Sequence, residues 1–462
     1  MTPPPTPAIS VAIHLAVLVF WVALFLLAFG RGGLFAWSIG LAYLAYDTGL
    51  QIFTGSRIAR IRHGDKQSGE TRGHSVAVLI AARNEAIALP GTLAALLACD
   101  DPPEEILIAD DGSDDDTAEV LHNRFGLSAR ELGVPSAPVW SGTTAIIWLR
   151  LAQGGKASAL NAALAVTSCD VVLTVDADTI VERAAIAAVR QAFSRDQELV
   201  AATGVITPVC TPTPAGRVLQ WFQTYEYIGN FLSRHAWMQI DCLQLISGAF
   251  AGFRRDAVIA VGGFDDTCLV EDYELVARMQ RYAGDRGLVW RFRVLGDAQA
   301  RTEAPGSVPA FLAQRRRWFG GFLQTQWWYR AMVGDRRFGS VGTVMLPIKA
   351  VDTAQPVYGL TAFAMLVFFV ATGRIDILGP VLLVVAGKLV IDVGYQLWSL
   401  RRYRRWVGDH QRGSVVGAAA AALLGPVTFQ LLLQTGAALG WIAFLSGART
   451  WGRRHRFGMA VH

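Results

Sequence analysis

The residues best placed to do chemistry are Asp176 and Asp178, which close the stretch VVLTVDAD at Val171–Asp178. The run begins as a buried strand. Alternate strand residues point the same way, so the two carboxylates are expected on one side of its C-terminal end. Ligands of an open α/β sheet bind at that edge. Two acidic side chains there suit a divalent ion shared with the oxygens of a diphosphate. A lone Asp-x-Asp is a weak motif, since most are solvated turns, and its weight depends on its company. That company is present. Asp110 and Asp111 follow another apolar run, Glu271 and Asp272 come later, and Gln314-Arg-Arg-Arg-Trp318 closes the series.

The elements that must position these groups can be read in order. Ser75–Ala81 is an apolar strand leading into Ala82-Arg-Asn-Glu85, and a helix through Leu97 follows, with Pro90 early in it. Glu105–Ala109 is a second strand, and Asp114–Phe125 reads as a helix with acidic residues at its N-terminus. The Asp114–Asp116 run and Asp110 read as capping and solvation more than chemistry. Ala145–Leu151 is a third strand, and Gly154-Gly-Lys156 opens a small-residue helix before VVLTVDAD. Strands alternating with helices of roughly ten to fifteen residues predict a mostly parallel, doubly wound sheet. No G-x-G-x-x-G follows the first strand, so a nicotinamide or flavin site lacks support. Beyond Gly216 come a long aromatic helix, Ser247-Gly-Ala-Phe250, and Val270-Glu-Asp-Tyr273.

Composition places this unit in a membrane protein. Of 462 residues 52% are hydrophobic and only 17% charged, and the charges concentrate between about Arg57 and Arg337. Val11–Gly30 is apolar apart from His14, and Leu34–Phe53 follows with Asp47 inside it. The first run lacks a basic leader and reads as an anchor. Arg57, Arg60, Arg62 and Lys66 should stay cytoplasmic, so two crossings would leave the central domain in the cytosol. Pro305–Val333, rich in Phe, Trp and Arg, suits a membrane surface. Val341–Thr372, Ile375–Leu400 and Ser414–Leu445 are further apolar stretches, the last long enough, with Pro426, to be kinked or a broken hairpin. Expected units are therefore residues 1–56 (N-terminal membrane helices), 70–304 (catalytic domain), 305–337 (interfacial helices) and 338–462 (C-terminal membrane region and basic tail). The net charge of +5 lies largely in arginines beside apolar runs, including Arg401–Arg405 and Arg453–Arg456. Topology explains it better than nucleic acid. Cys99, Cys169, Cys210, Cys242 and Cys268 show no zinc or disulfide spacing, which fits a reducing compartment.

On a helix, Gln314 and Trp318 are i, i+4 neighbours, with Arg317 beside them. An arginine fork matches phosphate oxygens, and an indole offers a flat platform for a sugar ring. Arg315 and Arg316 could equally face lipid headgroups. Trp327, Trp328 and Tyr329 read as an interfacial belt. Lys388 and Asp392, i and i+4 in an apolar run, read as a pair, with a polymer conduit as the alternative. Carboxylates, a phosphate-matching arginine, a base and a stacking indole together point to glycosyl transfer from a nucleotide sugar.

The series Asp111, Asp176-Ala-Asp178, Glu271-Asp272 and Gln314–Trp318 resembles that of membrane-embedded inverting family 2 glycosyltransferases. That group includes the processive poly-N-acetylglucosamine, chitin-oligosaccharide, hyaluronan and cellulose synthases, and the resemblance covers about Ser75–Gln324. It implies a GT-A-type α/β domain inserted between transmembrane helices in the inner membrane, with the catalytic domain cytosolic. Ala81, Arg83, Glu85, Asp111, Lys156, Asp176, Asp178 and Arg317 are then expected to bind a UDP-sugar. Arg83 stands where the family often has an aromatic, and Val270 where it commonly has threonine. The resemblance makes Asp178, with Asp176, the ligand of Mg2+ or Mn2+, and Asp272, with Glu271, the catalytic carboxylates, Asp272 being the general base. Ser247, Gly248, Gln314 and Trp318 would face the acceptor, a polysaccharide or a lipid. N-acetylglucosamine is the expected sugar, a chain passed through the membrane the expected product, and accessory export subunits a partner class to test. A ceramide-type transferase adding one sugar shares the pattern, and a silent export component is the non-enzymatic rival.

Overall fold

The structure, a computed structural model, describes residues 5–30, 33–61, 73–409 and 412–447. Arg62, Lys66 and Arg453–Arg456, expected above to mark the cytoplasmic side, lie outside the described residues.

Two helices open the chain, α1 (Ala8–Gly30) and α2 (Ser38–Ile58). The sheet domain then runs β1 (Val76–Ala82), α3 (Leu89–Leu97), β2 (Glu105–Asp110), α4 (Thr117–Phe125), β3 (Val139–Ser141), β4 (Thr144–Arg150), α5 (Lys156–Val166) and β5 (Val171–Val175). Next come β6 (Thr179–Val181), α6 (Ala185–Arg195), β7 (Leu199–Val209), α7 (Pro214–Met238), β8 (Phe250–Arg254), α8 (Arg255–Ala260), α9 (Glu271–Arg286) and β9 (Arg291–Glu303). After α10 (Val308–Trp328), the C-terminal helices are α11 (Leu346–Ala371), α12 (Ile375–Val407), α13 (Val415–Leu424) and α14 (Phe429–Leu445).

The described strands form one nine-stranded sheet in the order β3-β4-β2-β1-β5-β8-β7-β9-β6. The β4-β2-β1-β5 part is parallel and lies where the apolar runs predicted it. Val76–Ile80 and Val171–Leu173 are fully buried, because helices cover both faces of a parallel sheet and leave no wet side. Helix α5 can press closely on β1 and β2 because its buried face is largely Ala157, Ala159, Leu160 and Ala163. The sheet as a whole is mixed, not mostly parallel. β8 lies antiparallel between β5 and β7, and β6 pairs antiparallel with β9. This second half was not read from the sequence, since β9 (RFRVLGDAQARTE) carries charge along its length and buries only alternate residues.

Among the described residues, Ala8–Ala28, Val341–Ala371 and Ile375–Val407 are long and apolar enough to cross a membrane. The α13–α14 pair, bent by 50° after Gly425–Val427, also qualifies if taken together. The second expected N-terminal span forms α2 but falls short of that apolarity, because it carries Tyr43, Tyr46, Asp47 and Gln51. Those groups meet other helices. Lys388 of α12 lies 2.6 Å from Asp47 and also bonds Asp392, and Gln51 donates to Asp392 at 2.7 Å. The expected Lys388–Asp392 pair is therefore part of a four-residue cluster, with Asp47 and Gln51, joining α2 to α12. Helix α12 also runs past its apolar part. Leu400, Tyr403, Trp406 and Val407 join the sheet domain's core, and Gln299 of β9 donates to the Val407 carbonyl at 2.6 Å.

Candidate active site

The parallel strands β1, β2, β4 and β5 deliver their C-terminal ends to one edge, where the chain reverses between strands and leaves a crevice. After β1 the backbone turns through Asn84, whose φ of 58° is a left-handed conformation that Asn tolerates. The Asn84 amide holds that turn by bonding Asp114 in both directions. Glu85 is buried, and its N–H donates to Thr117 Oγ1 at 3.0 Å. Exposed Arg83 donates to Gln153 Oε1 at 3.0 Å, and half-buried Ala81 lies one turn of strand below. After β2, Asp110 accepts from Ser113 N and Asp115 from Thr117 N. The expected capping and solvation do not hold throughout, since Asp110 is buried and Asp116, the residue before α4, makes no side-chain cap bond. Asp111 does something different. It is buried, and Oδ1 accepts from Gly154 N (2.6 Å) and Gly155 N (3.0 Å). Gly155 has a φ of 92°, open to glycine alone, so the loop that aims Lys156 is fixed by one carboxylate.

Lys156 is the centre of the acidic groups. Its Nζ lies 2.6 Å from Asp176 Oδ1 and 3.2 Å from Glu271 Oε1, joining the end of β5 to the start of α9. Burial by itself would lower its pKa, but Asp176, Glu271 and Asp272 outweigh that and hold it above the ordinary lysine value. Asp176 and Asp178 do not share a strand face, because β5 ends at Val175 and a turn follows. Half-buried Asp176 pairs with Lys156, whereas Asp178 is only 3% exposed and accepts from Thr302 Oγ1 of β9 at 3.2 Å. No group of three or more His, Cys, Asp or Glu among the described residues could hold a metal by itself. Two hard carboxylate donors without a third suit an ion completed by ligand oxygens, the usual arrangement for Mg2+ with a diphosphate.

Asp272 sits one residue beyond Glu271 in the first turn of α9. Gly248 N donates to its Oδ2 at 2.6 Å and Tyr273 N to its Oδ1 at 2.8 Å. Burial and then Glu271 push its carboxyl above the usual carboxylate range, against Lys156 and the two backbone donors. A Cβ at Gly248 would stand 3.0 Å from Asp272 Oδ2. Neighbouring Ser247 shapes the same loop, its carbonyl accepting from Phe250 N at 3.1 Å.

Helix α10 packs on the segment before these acids. A Cβ at Gly321 would meet Val270 Cγ2, and Arg317 Nη1 donates to the Leu269 carbonyl at 3.3 Å. Trp318 lines a cavity of about 290 Å³ between α10, α11 and α14 with Phe319, Phe322, Gln355 and Gln434. Gln314 is not among its lining residues, although its buried Oε1 has no hydrogen-bond partner. Arg315 corrects an expectation, since it does not face headgroups. It is buried and bonds Glu226 of α7 at 2.7 Å, while Arg316 is exposed. The structure thus joins Lys156, Asp176 and Glu271 directly, with Asp111 holding the loop before Lys156, Asp272 next to Glu271, Asp178 bonded to Thr302 of β9 and Arg317 to the Leu269 carbonyl. Thr302, Gly248 as the holder of Asp272, and Glu226 were not found from sequence. Only Glu226 left a signal, as the acid in a long aromatic helix.

Residues 77–262 match the family described as Glycosyl transferase family 2, and residues 171–377 match Glycosyl transferase family group 2. The poly-beta-1,6-N-acetyl-D-glucosamine synthase of Staphylococcus aureus strain COL is 28% identical over 250 residues, 53% of this chain and 54% of that protein. The synthase of the same name from Staphylococcus epidermidis is 25% identical over 257 residues, again 53% and 54%. The chain thus spans about half the length of the curated relatives it matches. Among solved structures, the mannosyltransferase PcManGT of Pyrobaculum calidifontis, in complex with GDP-Man and Mn2+, superposes with a TM-score of 0.55. That likeness covers 84% of this chain and 99% of the other at 19% identity, a similarity of fold.

Proposed function

We propose that this chain, a family 2 glycosyltransferase of the membrane-embedded type, moves a sugar from a UDP-sugar onto a growing β-linked polysaccharide, with Asp272 as its base. The observation that carries the reading is the Asp272 carboxylate. It is fixed by the Gly248 and Tyr273 N–H groups and raised in pKa by burial, one residue from the Glu271–Lys156–Asp176 chain. While ionised, a carboxylate of raised pKa is a stronger proton acceptor than a free one. As the acceptor oxygen attacks the anomeric carbon, its proton passes to Asp272. The new C–O bond forms on the face opposite UDP, the bond to the diphosphate oxygen breaks, and the configuration inverts. Lys156 and Arg317 stand ready for the charge on the departing diphosphate, Asp111 and Glu85 for the nucleoside. Asp178, with Asp176, would hold a Mg2+ or Mn2+ ion, which supplies further neutralisation of that leaving group when bound. Ser247, Gly248, Gln314 and Trp318 form the acceptor side.

N-acetylglucosamine is the proposed sugar, in keeping with the names of the staphylococcal relatives. The cavity beneath Trp318, opening among apolar helices, supports passage of the product into the membrane region. The catalytic domain is assigned to the cytosolic face of the inner membrane, where nucleotide sugars are made. Purified protein in proteoliposomes, given radiolabelled UDP-N-acetylglucosamine and Mn2+, should release UDP and build a polymer cut by a linkage-specific glycosidase. A single lipid-soluble glycoside would instead identify a lipid glycosyltransferase, and absence of UDP release would rule out transfer from this donor.

A further inference from the structure

Arg315 belongs to none of the roles assigned so far, yet its surroundings are among the most constrained near the membrane face. It is 7% exposed. On α10 it shares a face with Phe311, four residues before it, and Trp318, three after. Its guanidinium lies 4.6 Å from the Phe311 ring centre and 4.4 Å from the Trp318 ring centre, within cation–π range of both. Glu226 anchors it from α7, with Nη2 to Oε2 at 2.7 Å. Burial raises the Glu226 carboxyl, and Arg315 is the largest influence opposing that shift. On the remaining side α14 closes in, where a Cβ at Gly436 would stand 2.5 Å from Arg315 Cβ. The guanidinium is thus held by an acid from one helix, two rings from its own and the backbone of a third. Arg315 lines the 290 Å³ cavity with Trp318.

A buried charge this closely packed costs desolvation, and replacing such a pair by apolar residues is often neutral or stabilising. Its retention therefore asks for a reason besides stability. The indole of Trp318 is the flat surface on which an acceptor sugar can stack, and a ring on a helix facing a cavity is free to change rotamer unless something holds it. The planar guanidinium beneath the ring does so, and Glu226 keeps the guanidinium in place.

We propose that the Glu226–Arg315 pair is a positioning device that orients the Trp318 indole for the acceptor, tying the acceptor platform to α7. This rests on the glycosyl-transfer reading above. Lysine in place of Arg315 could still reach Glu226 but has no plane to lie along the indole, so the two contributions separate.

The test uses the full chain in detergent or nanodiscs, with UDP-N-acetylglucosamine as donor and a β-linked N-acetylglucosamine oligosaccharide as added acceptor. Arg315→Met and Glu226→Gln should raise the apparent KM for acceptor roughly tenfold, as expected for losing one desolvated cation–π contact. Their affinity for UDP and their KM for donor should match the parent. Arg315→Lys should fall between parent and Arg315→Met, which keeps the test open if the methionine variant folds poorly. Unchanged acceptor KM in all three variants overturns the proposal. So does a donor KM that rises in step with the acceptor KM, because that is the mark of general distortion. If the parent releases no UDP at all, the transfer reading falls and this inference falls with it. If the parent is active and only the acceptor KM fails to move, the positioning role alone is refuted.

Discussion

Replacing Asp272 by Asn changes one atom of the carboxylate and little else in volume, yet it should separate binding from chemistry. Loss of a general base is worth ~10²–10⁴ in rate, which is ~2.7–5.4 kcal/mol of barrier. The effect on the fold should be small, for two opposing reasons. The amide can accept from only one of the two backbone donors, Gly248 N or Tyr273 N, and leaving the other N–H unpaired costs about 1–3 kcal/mol. Against this stands the raised pKa of Asp272, caused first by burial and then by Glu271. A carboxyl whose folded pKa lies above its unfolded value favours folding only at low pH, and that contribution is lost as pH rises through the folded value. Above that folded value the ionised group is therefore a burden that Asn removes. The melting temperature should stay within about 4 °C of the parent, with UDP affinity unchanged and UDP release nearly silent. In the parent, turnover should fall on acidification at a pH above the ordinary aspartate value of about 3.9, because Asp272 takes up its proton early. A D272N protein keeping more than about one tenth of parental turnover, outside the general-base range, would refute the reasoning. So would an acid limb at the ordinary aspartate pKa.

Gly248→Ala places a Cβ 3.0 Å from Asp272 Oδ2. Overpacking of about 1–3 kcal/mol should lower kcat by roughly 10–100-fold while donor KM stays put. Lys156→Met removes the cation bonded to Asp176 and Glu271. Losing charge-assisted hydrogen bonds of about 1.5–3 kcal/mol should raise donor KM roughly 10–100-fold, and because Lys156 titrates above its ordinary value, the parent should show no basic limb from it below the lysine range. Chelation with EDTA should abolish turnover, Mn2+ or Mg2+ should restore it, and Asp178→Asn should weaken apparent metal affinity on the order of 100-fold, measured by metal titration of UDP release. Lys388→Met leaves Asp47 and Asp392 facing each other without their cation. That should cost about 3–5 kcal/mol, seen as a lower melting temperature in detergent, and adding Asp47→Asn and Asp392→Asn should recover most of it.

The amino-acid sequence by itself determined the half of the sheet that is parallel and the order in which its acids appear. Strands buried on both faces must be apolar throughout, as in VAVLIAA and VVLTV, and a carboxylate that ends such a run has only the ligand-binding edge to occupy. It also put Gln314 and Trp318 on one helical face, because 3.6-residue periodicity is a local property. Tertiary structure alone decided which of these groups touch. The Gly248–Asp272 bond spans 24 residues and the Glu226–Arg315 bond 89, and no local pattern encodes a partner at that separation. Strand β9 stayed hidden because its buried positions alternate mostly with charged or polar ones and are themselves mostly small or polar (Gly296, Ala298, Ala300, Thr302), so no apolar run marks it. Whether Arg315 faces headgroups stayed open in the sequence, because a run of arginines does not show which of them a buried acid from another helix will meet. The second apolar run shows Asp47 in its own sequence, but only the packing of α12 supplied the cation it faces, Lys388. Local chemistry fixes what a residue can do, and the packing of distant helices chooses which of those things it does.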